Sequence, residues 1–257
     1  MQIKYIVKFL NLILCLSTIS IAATIVDTSN LDVHSSLEDN FSIKANKNNI
    51  KWSILIPTIE DRKLVFQQLH AVLIQQITAL NLADKIEIIY FRDKRNEHTV
   101  GFKRNVLLEK SLGEYVCFID DDDSVHVNYI QMIYKELLKN PDCISLVGII
   151  TTNGKDRRTF IHSVEYTSLF NKDGIAYRPP NHLNPIKRSI AIQFKFPLKN
   201  VGEDTNWAMQ ICHSKLIKTE IKITEPYYFY NYNYSDSVQF QHLYKAFANH
   251  ILKYPEI

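Results

Sequence analysis

Gly113-Glu-Tyr-Val-Cys-Phe-Ile-Asp-Asp-Asp-Asp123 decides how the rest of the chain is read: an apolar run from Tyr115 to Ile119 breaks off into four consecutive aspartates. A short continuous apolar run with polar residues on either side is the pattern of a strand buried on both faces. Adjacent carboxylates repel one another unless a cation neutralises them. Residues i and i+2 of an extended chain point the same way, so Asp120 and Asp122 are placed to face one ligand. Hard oxygen donors of this kind suit Mn²⁺ or Mg²⁺ held jointly with a diphosphate. A solvated acidic turn that caps the next helix is the plainer reading of the same residues.

Working outward, Trp52-Ser-Ile-Leu-Ile-Pro-Thr58 is a second apolar run, expected to be a buried strand that stops at its proline. Leu64, Val65, Leu69, Val72, Leu73, Ile77 and Leu80 then recur at helical spacing, which predicts an amphipathic helix of about five turns. Ile86 to Phe91 reads as a strand, Gly101 to Leu112 as a helix, Tyr129 to Lys139 as a helix ending before Pro141, and Cys143 to Ile150 as a strand. Strands alternating with helices of ten or more residues indicate βαβ units and a parallel sheet, hence an α/β sandwich. Ligands of such sheets bind beyond the carboxyl ends of the strands. Pro57-Thr58, Arg92-Asp93 and Asp120 to Asp123 occupy those positions. After Ile150 the periodicity weakens: Asn171 to Asn184 is read as a loop, an aromatic run from Tyr227 to Tyr234 follows a short strand, and Val238 to Leu252 is read as a final helix. This half is expected to build an acceptor pocket.

Composition sets the outer limits. The 257 residues, 46% hydrophobic and 22% charged, suit one globular catalytic domain. A formal net charge of +3 and the lack of any long Lys/Arg run give no footprint for nucleic acid. Lys4 and Lys8, the apolar stretch Phe9 to Leu16 and small residues Ser20, Ala22 and Ala23 follow signal-peptide grammar. A retained signal anchor is the rival, although the run falls short of the roughly 20 apolar residues of a spanning helix. The expected organisation is a signal peptide or anchor over 1–23, a low-order stem over 24–49 and a folded domain over 50–257. The expected destination is the secretory pathway or export, with membrane association through the N-terminus if the leader is kept; a cytosolic-facing location stays open. Cys117, Cys143 and Cys212 are widely spaced with no CxxC pair, so no disulfide framework is implied. The sequons at Asn40 and Asn233 matter only in a glycosylating compartment.

Glu203-Asp204 follows Gly202 and precedes Trp207, in the first turn of an expected helix, where the helix dipole favours carboxylates. Capping alone would explain the pair. Taken together, however, Trp52-Ser-Ile-Leu-Ile-Pro-Thr58, Gly101-Phe-Lys-Arg-Asn105, the stretch from Gly113 to Asp123 and Gly202-Glu-Asp204 resemble family 2 glycosyltransferases in order and spacing over about residues 51 to 235. The resemblance implies a GT-A-type three-layer α/β/α sandwich with a mostly parallel central sheet in a single domain. It also implies metal-dependent, inverting transfer of a sugar from a nucleotide-diphosphate sugar to a hydroxyl of a glycan, lipid or protein, with no nucleic-acid partner. Carried over residue by residue, Pro57 and Thr58 would line the nucleotide pocket, Asp93 and Arg104 would contact the base, and Asp120 and Asp121 would lie at the nucleotide sugar. Asp120 and Asp122 would hold the metal as the DxD motif, Asp204 would be the base and Glu203 would orient the site. His182 and Trp207 are candidates for contact with acceptor or metal.

Two departures from the family pattern stand out. Arg92-Asp93-Lys94-Arg95 replaces the usual acidic pair followed by Gly-Ser, and a Gln-x-x-Arg-Trp motif is missing, which argues against a processive polymer synthase. Three rival functions fit less well. A sugar nucleotidyltransferase would want a Gly-rich loop after the first strand, where Pro57-Thr-Ile-Glu-Asp61 has no glycine. A metal-dependent nuclease would want a more basic groove. A non-catalytic carbohydrate- or divalent-metal-binding module is the rival from a different class.

Overall fold

The computed structural model describes residues 49–232, all within one compact unit, Leu37–Ile257. The expected leader, stem, sequons and final helix lie outside the described residues. The first sheet has the strand order β11-β5-β10-β3-β1-β2. Next to its edge runs β1 (Trp52–Ile59), which pairs in parallel with the edge strand β2 (Ile86–Asp93) on one side and with β3 (Tyr115–Phe118) on the other. Helices α1 (Lys63–Ala79) and α2 (Val100–Lys110) make the two crossovers.

Alternation along the strands separates the layers. Trp52, Ile54 and Ile56 of β1 and Tyr115 and Cys117 of β3 pack in one core with Phe66, Leu69, Leu73 and Ile77 of α1. The same core takes in Tyr129, Ile130, Ile133 and Leu137 of α3 (Tyr129–Leu137). Leu55, Val116 and Phe118 point the other way. They pack with Leu107 and Leu108 of α2, with α4 (Arg188–Ala191) and with Trp207 and Ile211 of α5 (Glu203–Ser214). Helices therefore cover both faces, which is why these strands read as unbroken apolar runs. On α1, Leu64, Val65 and Val72 belong to the helical pattern but are exposed.

Three expectations are corrected. First, β1 does not stop at Pro57 but runs to Ile59. The carbonyls of Lys51 and Leu55 accept from Tyr115 and Ile119, so odd-numbered residues of β1 turn towards β3. That pairing ends at Leu55 opposite Phe118, so the N–H that proline lacks falls where no partner strand runs. Second, the run Cys143 to Ile150 is two strands in two sheets: β5 (Cys143–Ile144) belongs to the first, and β6 (Leu146–Thr152) to a second sheet of order β4-β12-β6-β7-β9-β8. Ser145 alone makes the step. Its carbonyl accepts the Tyr227 hydroxyl at 2.8 Å, and its N–H donates to the Ile221 carbonyl.

Third, part of the expected loop Asn171 to Asn184 is a hairpin, β8 (Phe170–Lys172) and β9 (Ile175–Arg178), joined by Asp173-Gly174. β6 and β7 (Lys155–His162) are likewise joined by Asn153-Gly154. All four turn residues have positive φ, between 49° and 76°, the requirement of the tight turns that match strand twist. The second sheet is completed by β4 (Ser124–Val125), which follows the aspartate cluster directly, and β12 (Tyr228–Tyr232). β10 (Ile186–Lys187) runs antiparallel between β3 and β5, and β11 (Glu220–Ile221) edges the first sheet beside β5.

Candidate active site

The four aspartates leave β3 in alternating environments. The side chains of Asp120 and Asp122 keep 28% and 33% of their surface, whereas Asp121 keeps 1% and Asp123 is buried. Each buried carboxylate is held from inside the protein. Asp121 accepts the Thr58 hydroxyl at 2.6 Å and pairs with Arg62 at 3.1 Å. Asp123 accepts the Tyr228 hydroxyl at 2.7 Å and the Asn231 N–H at 2.9 Å. The same Tyr228 oxygen accepts the Asp120 N–H at 3.2 Å. Burial pushes the Asp121 carboxyl up to about 6 and Asp123 well above its usual range, with the neighbouring aspartates adding to both shifts. Burial also works against ionisation of Asp120, but the Arg104 guanidinium, helped by His182 and Arg62, holds its carboxyl well below the ordinary value.

Asp120 and Asp122 are thus the two carboxylates of the run that face outward. Among the described residues no group of three His, Cys, Asp or Glu side chains is arranged to hold a metal. A hard divalent ion bound by one or two carboxylates and completed by phosphate oxygens and water needs no third protein ligand, and this donor set fits that requirement. Arg62, from the turn before α1, contacts Asp122 at 2.5 Å.

Arg104 joins the cluster to the second acidic pair. Its buried guanidinium meets Asp120 at 2.9 Å and Glu203 at 3.3 Å, and lies against the T-shaped ring pair Phe118 and Phe196. Burial opposes its charge, but Asp120, Glu203 and Asp204 outweigh that and raise its pKa. Glu203 and Asp204, adjacent at the start of α5, are separated by environment. Glu203 keeps 6% of its side-chain surface and Asp204 31%; burial and the Asp204 charge push Glu203 up while Arg104 pulls it back. Asp204 opens into a cavity of about 710 Å³ that Asp120 and His182 also line. His182 is buried between them, Nε2 at 3.6 Å from Asp120 and Nδ1 at 3.7 Å from Asp204, with neither nitrogen hydrogen-bonded. The turn that presents it is fixed by Asn181, which accepts the Leu183 N–H, and Asn184, which accepts the Asn181 N–H.

The stretch Gly101 to Asn105 explains itself in contacts. A Cβ on Gly101 would lie 1.9 Å from the Pro197 carbonyl oxygen, so only glycine admits that approach. Asn105 exchanges two hydrogen bonds with the Phe196 backbone, and the Gly101 N–H donates to Lys199. These contacts hold the segment leading into Gly202, whose φ of 70° starts α5. Lys103 is buried and donates to the Thr58 carbonyl at 3.0 Å and to Asp93 at 2.8 Å.

The remaining candidates are placed differently from the sequence expectation. Asp93 is buried with its carboxylate committed to Lys103 and to the N–H and ring of His98. Arg104 is an internal bridge. Pro57 and Thr58 are buried in the last pleat before β1 ends at Ile59, with the Thr58 hydroxyl spent on Asp121. Trp207 lies in the core, stacked on Phe196 at 4.7 Å and donating to the Phe194 carbonyl, which leaves no indole surface for an acceptor. Arg62, Lys103, Tyr228 and Asn231 escaped the sequence reading. Lys103 sits inside the quoted motif and Tyr228 in the quoted aromatic run, but nothing in the spacing of Arg62 or Asn231 pairs them with an aspartate.

Residues 72–211, more than half of the chain, match the family described as glycosyl transferase family 2. The chain belongs to that family. Among solved structures, S. aureus TarS 1–349 in complex with UDP is similar with a TM-score of 0.50 at 14% identity, covering 71% of this chain and 60% of that one. The same protein in complex with UDP-GlcNAc gives a TM-score of 0.47 at 13% identity, covering 71% and 58%. The chain therefore spans about 60% of the length of those chains. The likeness to the UDP complex is one of fold, and the family 2 chain is GT-A-like, with a second sheet packed against the cavity. No curated protein matches.

Proposed function

We propose that this family 2 member is an inverting glycosyltransferase that moves a sugar from a nucleotide-diphosphate sugar to a hydroxyl of a glycan, lipid or protein. The observation that carries the reading is Asp204: unlike its neighbour Glu203 it faces a cavity, and it does so across His182 from Asp120. A carboxylate there takes the acceptor hydroxyl proton as the oxygen attacks the anomeric carbon and the bond to the diphosphate breaks, which inverts that carbon. His182, with both ring nitrogens directed at the two carboxylates, positions the hydroxyl against Asp204. Glu203 and Asp93 act from inside, the first by fixing Arg104 and the second by fixing Lys103. Pro57, Thr58 and Asp121, all buried, support the outward-facing Asp120 and Asp122 from inside, the Thr58 hydroxyl donating to Asp121. Family membership and the nucleotide complexes of the TarS fold support the choice of donor.

Asp122, with Asp120, would hold Mn²⁺ or Mg²⁺, which when bound offsets the charge of the departing diphosphate. Membrane association through residues 1–23 remains part of the proposal, and membrane fractionation of the full chain tests it; among the described residues no helix is long and apolar enough to cross a membrane.

The test is donor binding and hydrolysis over a panel of nucleotide sugars, with and without Mn²⁺, beside Asp204→Asn and Asp122→Ala. Asp204→Asn is expected to lower turnover by about 10² to 10⁴ while donor affinity stays within a factor of about two. Asp122→Ala is expected to abolish the metal dependence of donor binding. A carbohydrate-binding module on the same fold would instead show no turnover to lose, and unchanged turnover in Asp204→Asn would remove that residue from the mechanism.

A further inference from the structure

Register across the second sheet puts Tyr228, Gly148, Phe160, Ala176 and Asn171 side by side on one face, one from each of five neighbouring strands. Phe160, Ala176 and Asn171 line the cavity into which Asp204 opens. The positions flanking Phe160 hold the two smallest residues, and each has a consequence. A Cβ on Gly148 would lie 2.2 Å from Cζ of Phe160, 2.6 Å from Cε1 and 2.8 Å from Cε2, so it would press on the face of the ring near its tip. The ring is therefore laid over β6, away from β9. On the other side Ala176 keeps the surface of β9 low, and the level ends at Asn171 on β8. The result is a recess with Phe160 as its apolar wall, Ala176 as its floor and Asn171 at its rim.

The position of the recess relative to the carboxylates follows from β7. His162 lines the same cavity, and its Nδ1 lies 3.2 Å from Asn184 Oδ1, in the turn that presents His182. The His162 end of β7 is thus tied to the reacting end of the cavity, and the recess opens two residues, or about 7 Å, farther along the strand. Its chemistry is uncharged. Asn171 is exposed, and its amide offers both donors and an acceptor. An apolar wall beside such an amide suits a sugar ring, whose C–H face is apolar and whose hydroxyls both donate and accept. A hydrocarbon chain would use the wall and leave the amide without a role.

We propose that this recess is a carbohydrate subsite and that the acceptor is an oligosaccharide. Its reacting sugar lies at Asp204, and the next sugar rests against Phe160 with its hydroxyls bonded to the Asn171 amide. The acceptor class thereby narrows from a glycan, lipid or protein to a glycan of at least two sugars. This rests on the reading of Asp204 as the base, which fixes the end of the cavity at which the reacting hydroxyl is placed.

The test is calorimetric titration of the purified full chain with maltotriose, cellotriose, mannotriose and triacetylchitotriose, each beside the methyl and decyl glycosides of its own sugar. UDP is titrated in parallel. At least one trisaccharide is expected to bind about tenfold or more tighter than its methyl glycoside. That gain is expected to vanish in Ala176→Leu, which fills the recess, and to fall about fivefold in Asn171→Ala, with UDP affinity unchanged in both. Gly148→Ala should also abolish it, because the added methyl lifts the Phe160 ring off the sheet into the cavity. Gly148→Ala combined with Phe160→Ala should then bind the trisaccharide better than Gly148→Ala alone, a non-additivity that a general loss of structure does not give. Trisaccharides that bind no better than their methyl glycosides, or not at all, overturn the inference. So does a gain that survives both Ala176→Leu and Asn171→Ala, or a decyl glycoside that matches the trisaccharide and responds to the same substitutions. A trisaccharide preference in a wild-type protein that binds no UDP would instead overturn the transferase reading and leave the subsite standing.

Discussion

Arg104 shows how much of the site depends on the shape of one side chain. Its guanidinium reaches Asp120 with one nitrogen and Glu203 with another, buried against a pair of phenyl rings. Lysine offers a single point charge in place of that planar fork. Arg104→Lys is therefore expected to keep one ion pair and lose the other, leaving a buried carboxylate uncompensated at a cost of about 3 kcal/mol or more. Denaturant melts should show that loss, and steady-state kinetics should show kcat falling with it, because Asp120 and the start of α5 lose their common anchor. A variant with wild-type stability and turnover would mean that the bridge is incidental. The same residue marks a limit of sequence reading. Its position in Gly101-Phe-Lys-Arg-Asn105 was legible and a contact with the base was expected, but a pairing with Glu203, 99 positions away, is a fact of packing that no local pattern carries. The two adjacent carboxylates Glu203 and Asp204 could not be told apart for the same reason: burial distinguishes them, and burial of one residue in a first helical turn depends on what packs above it.

At the level of elements, the parallel core was legible because each strand is buried on both faces and each crossover helix shows its period. The second sheet was not, because its strands are half-exposed and carry no unbroken apolar run: Lys155 to Arg158 of β7 are all exposed. The signal that was there lay in the turns, Asn153-Gly154 and Asp173-Gly174, which mark two-residue hairpins. The apolar run Cys143 to Ile150 gave no sign of its break at Ser145, since both halves are apolar and buried in different sheets. One contact between elements makes a sharp prediction. Gly101 of α2 touches the backbone just before α5 so closely that an added methyl must displace it. Gly101→Ala is expected to lower Tm by several degrees, in line with about 1–3 kcal/mol of overpacking. It should reduce kcat more than donor affinity, because the displaced segment carries Glu203 and Asp204 whereas β1 and β3 stay in place. Equal losses in kcat and donor affinity would show that the disturbance is global.

For the whole molecule, His162 ties stability to pH with a definite sign. Burial holds it neutral down to about 3, against about 6.5 for an exposed histidine. Below pH 6.5 the unfolded chain therefore binds a proton that the folded chain refuses, and stability falls as pH drops from about 6.5 towards 3. The expected observation is a Tm that declines over that interval in wild type and declines less steeply in His162→Gln; parallel slopes would assign the acid sensitivity to other groups.

Among the described residues the chain passes between the two sheets at five places, from β3 to β4, β4 to β5, β5 to β6, β9 to β10 and β11 to β12, and the sheets are fastened again where the Tyr228 hydroxyl reaches both Asp120 and Asp123. On the proposed transferase reading, a laboratory lineage selected for a new acceptor should collect its changes on the inward faces of β7 and β9, where Phe160 and Ala176 line the cavity, and leave these fastenings untouched.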